Sequence, residues 1–336
     1  FSGSYADMLF YLLGALIAVL INAFIHELGH YLAGKKHGYY LLQFQVLFFC
    51  FYRVNDKLKF SFKFNIEEAG KTVMVPTKSC DIKSSVHAMT KGGLKASFIM
   101  FIVGLIPVVL AFIIPEKIPA TLYYISSMFL PVGAYFFFGN ALPIFNGGNR
   151  NDGAVLSSLK SNDDTSKIIV NLYSIYSELY NGKSPKEIDK GLYFDLPVLR
   201  EDDGLFAIIL DARYTYFLDS GDLKQAKNCL DRLNQIKDYL SANQVLTIKA
   251  EMLYKACTFD YNENDADDYM SELEKYLNNN NDCLSLRAKT AYLKNVLKEE
   301  ECLEQFFDKW EREIEKLPLK GLKKYELSLL NSFRNQ

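Results

Sequence analysis

The chain has 336 residues, 38 Lys and Arg against 40 Asp and Glu, and 49% hydrophobic residues, enough chain for two domains. A net charge of −2 names no partner by itself, and no nucleic acid is expected. The six cysteines form no CxxC pair and no zinc-finger spacing, so they read as free thiols rather than a disulfide framework.

The two halves differ. Residues 1–160 carry 14 Lys and Arg and 8 Asp and Glu, a balance of +6, whereas residues 161–336 carry 24 and 32, a balance of −8. The first half reads as a membrane domain with three spans. The first runs from about Met8 to Ile25 and continues as helix to about Gly34. The second runs from about Leu94 to Ile114, and the third from about Ile118 to Phe138 with Pro131 inside it. The short "PEKIP" link makes the second and third a tight antiparallel hairpin. Between the first two spans lie Lys35, Lys36, Arg53, Lys57, Lys59, Lys63, Lys71, Lys78, Lys83 and Lys91, so that loop is expected in the cytoplasm. The N-terminus then lies outside, and everything after the third span is cytoplasmic.

Within the loop, "KLKFSFKFN" alternates Leu58, Phe60, Phe62 and Phe64 with Lys57, Lys59, Ser61 and Lys63, the period of a strand. Asn55-Asp56 separates it from "LLQFQVLFFCFYRV", which predicts a hairpin over about 41–65. A phenylalanine face and a lysine face suit the boundary between membrane and water, or the packing of an ordinary sheet. From about Ser161 the chain becomes polar. "GDLKQAKNCLDRLNQIKDYL", "NDADDYMSELEKYLNN" and "EEECLEQFFDKWEREIEKL" each look like the second helix of a helical hairpin and recur at roughly 40 residues. This predicts an all-α, tetratricopeptide-like array over 161–336, with the single Trp310 in its core. It contains no histidine and no phosphate loop, so it is expected to bind a protein partner rather than catalyse.

The chemistry is in "INAFIHELGHYLAG". Each ionisable group at membrane depth costs on the order of 3 kcal/mol, so three in one stretch need a reason. On a helix His26 and His30 face the same side and can grip one Zn2+. Glu27 is rotated by about 100° from His26, where a general base for an attacking water should stand. This is the HExxH pattern. A catalytic zinc takes a third protein ligand. His37 lies about 10 Å beyond His30 along a continuous helix, and His87 is expected in the polar loop before the second span. An acid from the cytoplasmic end of the third span is therefore expected. That stretch reads "GNALPIFNGGNRNDGAVLSSL", and its only acid is Asp152, which could equally cap the helix that follows.

These residues resemble the site-2 protease family of intramembrane zinc metalloproteases, over about residues 8–160. HELGH at 26–30 resembles the family's first core helix and "KGGLKASF" at 91–98 the Gly-rich start of its second. Asn140 and Pro143, followed by Asp152-Gly153, resemble its third element. The resemblance implies a three-helix membrane core with His26, His30 and Asp152 on zinc, Glu27 as base and Asn140 as a donor to the oxyanion. It also implies strands before the second core helix. The chain departs from the family in a longer Asn140–Asp152 gap, in "NGGNRN" replacing the usual prolines, and in lacking a PDZ-like segment. The expected function is hydrolysis of a peptide bond in a membrane-embedded substrate, within the lipid bilayer, with a strand of the 41–65 hairpin accepting the unwound segment by edge pairing. Two alternatives remain: maturation of a small secreted peptide whose leader the helical domain reads, and a catalytically silent zinc-containing scaffold.

Overall fold

The computed structural model describes residues 5–63, 70–78, 81–146 and 149–335. Contacts divide it into two compact units, the first running through Val170 and the second starting at Asn171, apart from two short stretches. The boundary therefore falls about ten residues later than the composition shift, inside the helix Asp164–Tyr180.

Three helical stretches of the first unit are long and apolar enough to cross a membrane: Asp7–Lys36, Ile82–Ile113 and Ala120–Ala141. They form α1 (Tyr5–Lys36), α2 (Ile82–Ile113) and the pair α3 (Ala120–Ser127) and α4 (Phe129–Ala141). α2 starts twelve residues before its expected apolar span, capped by the Asp81 carboxylate, which accepts from Ser84 N. His87 is thus helical, not in a loop. The third span is broken at Met128. Pro131 falls in the first turn of α4, where its missing N–H leaves no hydrogen bond unmade. Outward side chains stay apolar, with Leu12 at 58%, Leu16 at 62%, Ile99 at 59% and Phe112 at 85% exposed, a belt that water would not tolerate but lipid would. Between such helices no hydrophobic drive operates, so close backbone approach matters. α1 and α2 meet at Gly29 and Gly92: a Cβ on Gly29 would lie 2.5 Å from Gly92 O and 2.7 Å from Ala96 Cβ.

The loop between α1 and α2 is a four-stranded sheet in the order β3-β2-β1-β4. Its strands are β1 (Tyr39–Val46), β2 (Phe49–Val54), β3 (Lys57–Phe62) and β4 (Gly70–Pro76). The expected Asn55-Asp56 turn is present, with φ of 48° and 60°, the left-handed pair of a two-residue hairpin. The stretch before it folds as two strands, turning at Leu47 with φ 49°. β1 pairs antiparallel with both β2 and β4. On one face Phe60 meets Phe51 at 5.1 Å and Phe62 meets Phe49 at 5.7 Å between centroids. Phe64 lies outside the described residues. The Tyr39 hydroxyl and Ser85 Oγ, 2.9 Å apart, tie the sheet to α2. After α4, β5 (Phe145–Asn146) and β6 (Asn149–Arg150) lead into α5 (Asp152–Ser161) and α6 (Asp164–Tyr180).

The second unit is helical throughout its described regular structure. α7 (Gly191–Phe194) precedes the pairs α8 (Gly204–Ser220) with α9 (Leu223–Gln235), α10 (Ala242–Cys257) with α11 (Glu263–Asn279), and α12 (Cys283–Tyr292) with α13 (Leu303–Lys316). α14 (Lys320–Arg334) closes the chain. The pairs begin at Gly204, Ala242 and Cys283, steps of roughly 40 residues. Each start is written locally: Asp203, Asp222, Ser241, Asn262 and Asp282 each accept a backbone N–H from their helix. Gly221 closes α8 at φ 76°. Leu253, Leu273, Leu277 and Trp310 are fully buried, so Trp310 is core as expected. Beside it Arg287, 2% exposed, holds Glu326 at 2.8 Å and also Glu251. Trp310 Nε1 donates to Glu326 Oε2 at 3.1 Å. Arg287→Met removes the one cation these carboxylates share and should destabilise the unit by about 3 kcal/mol or more. Denaturant unfolding followed by the fluorescence of Trp310 reads the loss; an unshifted midpoint would contradict the assignment.

Candidate metal centre

His26 and His30 sit on α1 against α2, Glu27 beside them against β4, and all are largely removed from solvent, His26 and Glu27 each at 6% exposed. The two imidazole Nε2 atoms are 3.1 Å apart. Each ring is oriented from behind. His30 Nδ1 donates to Met89 O at 3.1 Å, since a carbonyl only accepts, so in the neutral ring the Nε2 lone pair faces inward. His26 Nδ1 meets Ser97 Oγ at 2.8 Å, and Ser97 is itself buried. The Gly92-Gly93 pair of the KGG motif makes room here. Gly92 faces α1, and the position of a Cβ on Gly93 is already taken by the His30 ring.

The third donor comes from α5. Asp152 Oδ2 is 3.4 Å from His26 Nε2 and 3.1 Å from His30 Nε2. It is buried and makes no hydrogen bond among the described residues. Asp152 does not cap α5; Asn151 does, its Oδ1 accepting from Ala154 N at 3.0 Å and from Ile144 N at 3.1 Å. Asn151 Nδ2 donates to Gly139 O and Leu142 O, both at 2.6 Å. One side chain thus joins the start of α5 to the end of α4, and the carboxylate of Asp152 is left for the imidazoles. Gly153 permits the approach, because its Cβ would lie 2.8 Å from Asn140 O and still closer to Ala141 O. The long Asn140–Asp152 gap is taken up by the β5–β6 strands.

Three potential donor atoms turned toward one point suit a cation held among them, a metal ion or a shared proton. His26, His30 and Asp152 form the group of His, Cys, Asp and Glu side chains with that geometry among the described residues. His37, past the end of α1, and His87, on α2, are not part of it. Glu27 Oε2 accepts from Thr72 Oγ1 at 2.6 Å, so β4 lies against the glutamate. Asn140 occupies the last turn of α4, its Nδ2 donating to Phe136 O at 2.9 Å, within its own helix. Reaching an oxyanion would require that amide to turn away from it.

Sequence reasoning missed Asn151, Ser97, Met89 O and Thr72. Only Asn151 left a trace, as a second cap-forming residue just before Asp152. No family model matches the chain, and no curated protein and no solved structure matches it either.

Asn151→Ala should weaken metal binding about tenfold or more through loss of its support, with the helices retained by circular dichroism. Competition against a chromogenic chelator measures it, and unchanged affinity would show that Asp152 needs no such clamp.

Proposed function

We propose that this chain is a zinc-dependent intramembrane endopeptidase, of the kind its resemblance to site-2 proteases implies. The observation that carries the reading is the triangle of His26 Nε2, His30 Nε2 and Asp152 Oδ2, with sides of 3.1–3.4 Å, immediately beside Glu27. Ligands about 2.0–2.2 Å from a tetrahedral zinc stand about 3.4 Å apart, which fits those sides. Two neutral imidazoles and one carboxylate also match the donor chemistry of catalytic zinc rather than of calcium or magnesium. A zinc ion bound there supplies Lewis acidity toward a carbonyl and makes water acidic enough to lose its proton near neutrality.

The chain's own residues do the rest. Glu27 takes the proton of the attacking water and passes it to the leaving amine. The Thr72 hydroxyl fixes the Glu27 carboxylate before a substrate arrives, and Asn140, once turned from Phe136 O, donates to the oxyanion. Met89 O and Ser97 hold the imidazoles in the tautomer that faces the ion.

The substrate is a peptide bond of a membrane-embedded segment. His26 and His30 lie within an apolar span whose outer surface suits lipid, about 9–15 Å along α1 from Lys36. Lys35 and Lys36 mark that end as cytoplasmic, and water reaches the site from there. A helical substrate must unwind before its carbonyl can be attacked, and its freed backbone groups then need partners. We assign that role to β4, which is at the sheet edge and touches Glu27 through Thr72, rather than to the strands at 41–65. The second unit serves recruitment, consistent with its lack of histidine.

Glu27→Gln should abolish cleavage of membrane proteins co-reconstituted in liposomes while retaining one zinc per chain. His26→Ala should lose both. Sequencing the partners trapped by Glu27→Gln would name the substrate. Cleavage retained by Glu27→Gln would remove the proposal. Thr72→Val should lower kcat about tenfold with zinc content and KM little changed, and Thr72→Ser, which keeps the hydroxyl, should restore most of it. Equal kcat in both variants would deny Thr72 its positioning role.

A further inference from the structure

We propose that the second unit binds a cationic side chain of an extended peptide segment, in a cleft between α6, α8 and α10 that the solvent-exposed Asp211 helps to line. This site is separate from the metal centre and does not depend on it. The cleft, about 210 Å³, is lined by Tyr176, Ile208, Asp211, Gln244, Thr247 and Ile248 among others. Drug-sized ligands occupy about 300–1,000 Å³, so this volume suits one long side chain. It is too small for a helix, whose diameter with side chains is about 10–12 Å.

The lining fits the two ends of such a side chain. Tyr176 and Ile208 are 36% and 38% exposed at the rim, and with Ile248 they offer an apolar wall for the methylene stem of Lys or Arg. Tyr176 also offers a ring face to a cation. Gln244 and Thr247 add polar contacts to the wall. The Asp211 carboxylate makes no hydrogen bond or ion pair among the described residues; only the backbone O of Asp211 is engaged, by Thr215.

Charge completes the case. The groups that face Asp211 are Glu251 from α10, Arg287 from α12 and Tyr176 from α6. Arg287 is already held by Glu251 and Glu326, so it is not free to pair with Asp211. The Asp211 side chain is open to solvent, so a cation can reach its carboxylate from outside. The balance of −8 over residues 161–336 attracts a basic segment from a distance.

The test uses the full chain in detergent, carrying Glu27→Gln so that nothing is cleaved. The ligand is a fluorescein-labelled 15-residue peptide of Ser, Gly and Leu with three spaced arginines, compared with the same peptide bearing citrulline. Anisotropy should show the arginine peptide binding about tenfold more tightly. Asp211→Asn should remove most of the difference without lowering the melting temperature. Asp211→Lys, which places its own cation in the cleft, should do the same, and spermidine should not displace the peptide at equal concentration. Equal binding of the two peptides, undetectable binding, unchanged binding by both variants, or displacement by spermidine would overturn the proposal. Because the metal centre plays no part in the readout, its failure would leave the protease reading untouched.

Discussion

The first unit depends on one arrangement held in place: two imidazole Nε2 atoms and a carboxylate oxygen within 3.1–3.4 Å of one another. Nothing about α1 alone creates it. Met89 O and Ser97 Oγ on α2 turn the rings, the Gly29–Gly92 contact brings the helices close enough for them to do so, and Asn151 delivers Asp152 from the far side of α4. Each support is a buried polar contact or a close backbone approach. In an apolar environment these are the forces available to organise helices, since burial of apolar surface gains little there. A cation among the three donors cross-links α1 to α5.

Much of this was legible in the chain. His26, Glu27 and His30 declare themselves because three ionisable groups at helical spacing have no structural excuse in an apolar run. Asp152 was found as the only acid in the right stretch. What was hidden has physical causes. α2 begins early because its first three turns are polar, so hydropathy misses them although Asp81 caps them. The break at Met128 is invisible because apolar side chains continue through it. β1 and β2 turn at Leu47-Phe48, where aromatic packing overrides the lack of a turn-forming residue. The assignment of Asp152 as a possible cap failed to the residue before it, because Asn151 can satisfy donors and acceptors at once.

The second unit follows another logic. There, local signals agree with the fold at many steps: a capping side chain before each of α8 to α12, leucines on the inner stripe, glycine where α8 ends. The exception is the Arg287 cluster, a charged group inside an otherwise apolar stack. Helical propensity cannot announce it, because Glu251, Arg287 and Glu326 each sit at ordinary-looking positions in helices far apart in sequence. It gives this unit a polar interior feature unlike the rest of its core.

The central claim, that α1 and α5 grip one ion together, is tested most directly by X-ray absorption on the purified, zinc-loaded protein. The account predicts a first shell of two imidazole nitrogens and a carboxylate oxygen at about 2.0–2.2 Å, with the oxygen contribution diminished in Asp152→Asn and one imidazole lost in His30→Ala. A zinc shell that both substitutions leave unchanged, or no bound zinc at all, would contradict it.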